Sequence, residues 1–179
     1  LDTVNEEMQR LMQLINDLLN FSRYQNGLQK LTLGPCEIPD LLEHARGRFI
    51  EQANAQQIEL LIEAQPDLPR LYADQAQLER VLDNLLANAL RHTADGGQIR
   101  LQARRHGERV IISVEDNGEG IAYGQQGRIF EPFVQVGRKK GGAGLGLALC
   151  KEIVQLHGGR MGVYSRPGQG TQFYMALPL

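Results

Sequence analysis

Cysteine is scarce in this sequence and never in a useful spacing: of 179 residues only Cys36 and Cys150 carry thiols, far apart and outside any metal or redox pattern. Two lone thiols predict a reducing compartment and no disulfide framework. The four histidines, His44, His92, His106 and His157, form no HExxH pair and have no cysteine partner, so no structural zinc is expected. No apolar run approaches the ~20 residues that cross a bilayer, and no charged leader precedes an apolar stretch, which predicts a soluble piece. Charge of one sign is lacking too. Nineteen Lys and Arg against 21 Asp and Glu leave a formal net charge of −2, so no basic field argues for nucleic acid or an anionic membrane as partner. Internal repeats and low-complexity tracts do not occur. What is present is ordinary globular composition, 42% hydrophobic and 22% charged, enough for one domain or one domain with an appendage. Leu1 falls inside a helical pattern with no initiator methionine before it, which predicts a piece of something longer.

Residues 1 to about 26 read as an amphipathic helix, with Val4, Met8, Leu11, Ile15 and Leu18 alternating spacings of four and three, the seam of a coiled coil or bundle. Met12, Leu14, Leu19 and Phe21 widen the stripe. So much apolar surface must pack on another helix, on a symmetry mate or on the rest of the chain. Gly27 is the stop signal. Short alternating units follow: a strand over 28–38, a helix opened by Pro39 and Asp40, a strand over 58–64, and a longer helix from Asp74 to His92. That helix carries Leu78, Val81, Leu82, Leu85, Leu86 and Ala89 on its buried face. Two hairpin strands flank His106 and Gly107. A glycine-rich loop leads to a helix from Gly144 to His157, and a second hairpin closes the chain around "RPGQG". The order predicts an α/β protein, a two-layer sandwich whose mixed sheet is covered on one face by helices, preceded by the long helix. The boundary falls between residues 1–28 and 29–179.

Several short stretches have the chemistry of a binding site. Asn84 and Asn88 lie four apart on one helical face, with Arg91 and His92 a turn further on. An amide oxygen suits Mg²⁺ alongside phosphate oxygens and waters, and Arg91 suits phosphate; alternatively the pair edges a solvated face. In "VEDNGEGI", Asp116 ends an apolar strand, and Gly118 and Gly120 leave the backbone bare where a flat ring fits. A buried carboxylate there accepts a hydrogen bond from an exocyclic amine such as that of adenine, although Asp, Asn and Gly also make ordinary turns. "IFEPF" sets Phe130 and Phe133 around Pro132 as a latch or as plain core. Arg138, Lys139 and Lys140 form a candidate lid over an anionic ligand, or a solvated charge run. In "GGAGLGLALC" the glycines Gly141, Gly142, Gly144 and Gly146 bring backbone N–H groups close to a phosphate chain, and the helix that follows offers its positive end. The rival role for those glycines is tight helix packing.

Commoner nucleotide loops do not match. A P-loop needs Lys directly after its second glycine, and Ala143 follows Gly142; a dinucleotide fingerprint needs Gly at 147 or 123, where Leu147 and Tyr123 stand.

Taken together, the stretches resemble the catalytic, ATP-binding domain of bacterial sensor histidine kinases, in the Bergerat-fold group that includes gyrase, mismatch-repair and heat-shock chaperone ATPases. "NLLANALRHT" looks like the N box, "DNGEGI" the G1 box, "IFEPF" the F box, "GGAGLGLAL" the G2 box and "GQGTQF" the G3 box, in the family's order. "RLMQLINDLLNFSR" resembles the second helix of the family's dimerisation and phosphotransfer domain. The resemblance implies ATP and Mg²⁺ as cofactors. Asn88 would hold the metal with help from Asn84, and Arg91, His92 and Lys140 would reach phosphates. Asp116 would read the adenine amine with Thr171 as support, Gly118, Gly120 and Ile121 would line the base, and the backbone of Gly142, Ala143, Gly144, Leu145, Gly146 and Leu147 would wrap the phosphates. It also implies a response regulator and the protein's own phosphotransfer domain as partners, a homodimer at full length, and the cytoplasmic portion of a membrane-anchored sensor. Ala143 departs from the Thr or Ser frequent in the family, and the stretch from Phe133 to Gly141 looks short for a lid. No His-Glu box with a following Arg-Thr-Pro is present, so no phosphoacceptor is expected among the four histidines. The alternatives are a gyrase- or chaperone-like ATPase, whose water-activating Glu would stand where this chain has Asn84, and a nucleotide-gated interaction module.

Overall fold

The structure, a computed structural model, describes residues 1–135 and 144–179. The expected lid cations Arg138, Lys139 and Lys140, and Gly141, Gly142 and Ala143 of the glycine run, lie outside the described residues.

Helix α1 (Asp2–Gln25) ends where Gly27 takes a left-handed φ of 67°. Leu28 N–H then bonds back to Arg23 O at 2.9 Å and Gly27 N–H to Tyr24 O at 3.2 Å, the paired closure that satisfies the last carbonyls of a helix. Strand β1 (Gly34–Cys36) is far shorter than the strand expected over 28–38. One reason is that Thr32 gives its N–H to Asp74 Oδ2 at 2.8 Å rather than to a ladder. Helix α2 (Ile38–Ala55) starts with proline in its first turn, where no amide hydrogen is needed. Strands β2 (Glu59–Ala64) and β3 (Leu71–Ala73) follow; β3, three residues paired antiparallel with β1, is too short to show a period and was not expected. Helix α3 (Gln75–His92) is capped by Asp74, whose carboxylate accepts from Gln77 N–H at 3.2 Å. Then come β4 (Gln98–His106), β5 (Arg109–Asp116), the single turn α4 (Tyr123–Gln126), α5 (Gly146–Leu156), β6 (Arg160–Arg166) and β7 (Gly170–Pro178). The last helix begins two residues later than expected because Gly144 sits at φ 76°, outside helical space.

The main sheet runs β2-β4-β5-β7-β6, with β2 parallel to β4 and every other pair antiparallel. Alternation along three neighbouring strands sends Ile99, Leu101, Ala103, Val110, Ile112, Val114, Phe173, Met175 and Leu177 to one face, all buried. Helices α2, α3 and α5 cover that face, and Leu78, Val81, Leu82, Leu85 and Leu86 of α3 are at most 1% exposed. The result is the two-layer sandwich with a mixed sheet covered on one side.

Among the described residues, helix α1 joins this body by packing on α5. Tyr24 is buried and its hydroxyl donates to Gln77 Oε1, while Gln25 Nε2 reaches Glu152 Oε1 at 3.0 Å. The stripe of Val4, Met8, Leu11, Ile15 and Leu18 remains 47–60% exposed. Of the three ways to cover it, packing on the rest of the chain is thus confined to the C-terminal end.

Candidate functional site

Asn84 and Asn88 are half-buried on the exposed-facing edge of α3. They line a cleft of about 890 Å³ whose other walls are the segment Gly144–Leu147 and, across the opening, Asn16, Asp17 and Asn20 of α1. Asn84 Nδ2 donates to Gly146 O at 3.4 Å, which ties the helix to the start of α5 and leaves the amide oxygen of Asn84 as its acceptor. Arg91 and His92 line the same cleft; burial pushes the guanidinium pKa of Arg91 down. Among the described residues no side chain caps the first turn of α5, so none of them answers its leading N–H donors.

A second, smaller recess of about 20 Å³ opens beside the end of α3, lined by Asp116, Gly120, Ile121 and Thr171 among others. Asn88, His92 and Ile129 border both spaces, so the recess and the cleft meet at one turn of α3. Asp116 is 5% exposed, and burial raises its carboxyl pKa. Backbone N–H groups of Gly118, at 2.9 Å, and of Thr171, together with the nearby His92, act in the opposite direction. Thr171 stands opposite Asp116 across the β5–β7 ladder, as support for that position requires.

The glycines earn their places differently from the expectation. A Cβ on Gly118 would lie 2.1 Å from the carbonyl oxygen of His92, and one on Gly120, at φ 73°, 2.3 Å from that of Arg166. What Gly118 and Gly120 admit on that side is therefore the protein's own backbone, not a ring. Gly144 likewise answers to Phe133, whose N–H bonds Gly144 O at 3.0 Å, whereas a Cβ on Gly146 would make only ordinary contact with Asn84 at 3.8 Å. Leu145 borders the cleft but is only 1% exposed, and Leu147 is half-buried on the cleft wall. The latch divides: Phe130 packs edge-on against Phe173 at 6.0 Å, and Phe133 is 64% exposed.

Three contributors escaped the sequence reading. Glu119 holds His92 through Nδ1 at 2.8 Å, and it stood in plain view between Gly118 and Gly120. Ser165 bonds Ile121 N–H at 2.8 Å and Thr171 Oγ1 at 2.9 Å, and Gln126 Nε2 donates to Ile121 O and Ser165 O. No local pattern marks either. Among the described residues no group of three His, Cys, Asp or Glu side chains gathers to hold a metal. Next to Gly144–Leu147 the donors that α3 turns to the cleft are the amides of Asn84 and Asn88, with Glu79, Asp83 and the Asp17 of α1 elsewhere on its wall; neutral amides suit a hard cation carried mainly by a ligand's own oxygens and by water.

Comparison with known proteins agrees with this geometry. Residues 73–179 match the family described as histidine kinase-, DNA gyrase B- and HSP90-like ATPase. The alginate biosynthesis sensor protein KinB of Pseudomonas aeruginosa is 66% identical over the whole chain, which spans 30% of that protein's length. The crystal structure of full-length ShkA in complex with AMPPNP superposes with a TM-score of 0.91 at 34% identity, covering 99% of this chain and 37% of that one. Histidine kinase ThkA, crystallised in complex with the response regulator TrrA, shares the fold at 24% identity, with a TM-score of 0.81 over 99% of this chain and 49% of that one. The chain belongs to the histidine kinase-, DNA gyrase B- and HSP90-like ATPase family.

Proposed function

We propose that this chain is the ATP-binding catalytic part of a sensor histidine kinase, residues 29–179, joined to the second helix of the dimerisation and phosphotransfer domain, residues 1–28. It transfers the γ-phosphoryl of Mg-ATP to a histidine on a segment outside this chain, for relay to an aspartate of a response regulator. The observation that carries the reading is the position of Asn88 between the recess of Asp116 and the cleft at the start of α5. A purine bound against Asp116 would send its phosphates past Asn88 toward the uncapped amides of α5. Asn88 and Asn84 would hold the Mg²⁺ by their amide oxygens, and the ion would neutralise charge on the transferring phosphoryl. Asp116 accepts the adenine amine, Arg91 meets phosphate charge, and His92, held by Glu119, borders the passage.

Asn84 favours transfer to a histidine over hydrolysis, because an amide takes no proton from water. With no His-Glu box in the chain, the acceptor is placed outside it; His92 is engaged with Glu119, and His157 accepts from Asp74 N–H at 3.0 Å. The exposed stripe of α1 supports a homodimer of the full-length protein, in which a second copy covers it. A response regulator as partner is supported by the ThkA complex. The test is to mix the chain with a separately produced phosphotransfer domain and γ-labelled ATP. Acid-labile, base-stable label on that domain is expected; intact ATP binding with no phosphohistidine, or steady hydrolysis by the chain alone, would count against transfer.

A further inference from the structure

The uncovered face of the sheet carries a second concavity, of about 500 Å³, on the side opposite the buried core. The ladder registers place Arg104, Ile111, Ala176 and Arg160 in one row across β4, β5, β7 and β6. Three inter-strand steps of about 4.8 Å set the two arginines roughly 14 Å apart, over a low floor of Ile111 and Ala176. Arg109 lies in the next row on one side. On the other side Tyr164 and Tyr174 stack at 5.5 Å with 24° between their planes. Gly162 makes that stack possible: a Cβ there would lie 2.2 Å from the Tyr174 hydroxyl. Tyr164 remains 68% exposed, so its outer ring face is open. Among the described residues Arg104, Arg109 and Arg160 enter no ion pair, although Arg48, Arg70, Arg100 and Arg128 do.

Three unneutralised guanidiniums around a shallow bowl call for an anion, and an open tyrosine face beside them calls for a flat ring. A hollow of this size is in the range of small-ligand sites. We propose that this face binds a nucleoside phosphate, its base stacked on the Tyr164–Tyr174 pair and its phosphates between Arg104, Arg109 and Arg160. An acidic protein segment would use the charges but leave the stack idle, which is why the nucleotide is the better fit. The site is separate from the cleft at Asn88 and does not depend on what that cleft binds.

The probe is GDP, titrated into isotopically labelled chain already saturated with AMPPNP and followed by amide chemical shifts. Shifts are expected at Ile111, Tyr164, Tyr174 and Ala176. Arg104→Gln combined with Arg160→Gln, and separately Tyr164→Ala, should each weaken GDP at least about tenfold, with AMPPNP affinity unchanged. The two variants alter exposed side chains, and a melting curve checks that each is folded. Absent shifts on this face, GDP binding indifferent to Tyr164→Ala, or inorganic triphosphate binding as tightly as GDP would overturn the proposal. So would binding of a polyglutamate peptide in place of GDP, which would assign the face to an acidic protein partner.

Discussion

Asp116→Asn should separate the proposed base recognition from folding at a single buried position. The wild-type carboxylate takes an N–H from Gly118 at 2.9 Å through Oδ1 and is only 5% exposed. An asparagine of the same shape keeps that acceptor and turns the other oxygen into an NH₂ donor. Facing the adenine amine, two donors then meet where a charged acceptor had been, which costs about 1.5–3 kcal/mol, or roughly a ten- to 150-fold loss of ATP affinity. Inosine triphosphate carries a carbonyl at that ring position, so the variant should narrow or reverse the preference for ATP over it. Inorganic triphosphate, which has no base, should bind both proteins alike. Stability moves the other way. Burial raises the Asp116 pKa above its usual 3.8, so the native state is favoured by the proton below that value and loses the benefit as pH rises through the shifted pKa. The asparagine variant carries no such penalty, and at neutral pH it should melt no lower than wild type, with any advantage fading in acid. Isothermal titration with the three ligands and a melting series across pH give both answers. An equal loss for ATP and triphosphate, or an unchanged ATP to inosine triphosphate ratio, would refute the assignment.

Asn88→Ala should abolish the magnesium dependence of ATP binding while leaving the metal-free affinity near wild type, as measured by titration with and without Mg²⁺. Gly170→Ala should destabilise the fold by more than about 2 kcal/mol, because its φ of 122° disfavours a side chain and the new Cβ would meet Asp116 O at 2.0 Å; denaturant titration reads it. The Cys150 thiol is buried and pushed up to about 12, and the buried Cys36 thiol is raised as well, so both should resist a disulfide reagent at pH 8 until the chain unfolds. Tyr24→Phe removes the hydroxyl that donates to Gln77 and should weaken the docking of α1 by about 1 kcal/mol, seen as faster proteolysis near residues 27–33.

Legibility followed the range of the interaction. The strands β4, β5 and β7 announce themselves by alternation, and α3 by the spacing of Leu78, Leu82, Leu85 and Ala89, because each pattern is written in neighbouring residues. Asp116 was legible because it stands where the alternation of Ile112 and Val114 calls for an apolar residue, and Asn84 and Asn88 because they lie four apart along the edge of an apolar face. The short β1 and β3 were not, since three residues define no period and Thr32 is diverted to Asp74, 42 positions away. Gly118 and Gly120 were legible as positions but not as causes. Their neighbours are carbonyls of His92 and Arg166, far along the chain, and no local composition reveals such an approach. The Ser165 contact with Ile121 spans 44 residues and the Gln126 contact with Ser165 spans 39, and both belong to the same category.

The domain boundary proposed at residue 28 and the cleft wall do not coincide, and that mismatch has mechanical content. Asn16, Asp17 and Asn20 border the large cleft, yet they belong to α1, on the other side of the boundary. The helix is fastened to the body through Tyr24 and Gln25, with the stripe from Val4 to Leu18 left exposed. A 24-residue helix is about 36 Å long, so a pivot at Tyr24 moves its far end many times further than its near end. Asp74 sits beside that pivot with both carboxylate oxygens committed, one to Thr32 in the linker and one to Gln77 in the first turn of α3. Linker, α1 and the helix that bears Asn84 and Asn88 therefore share one polar joint. Because Asn16, Asp17 and Asn20 border the space beside Asn84 and Asn88, a change in the angle of α1 at Tyr24 would change that space.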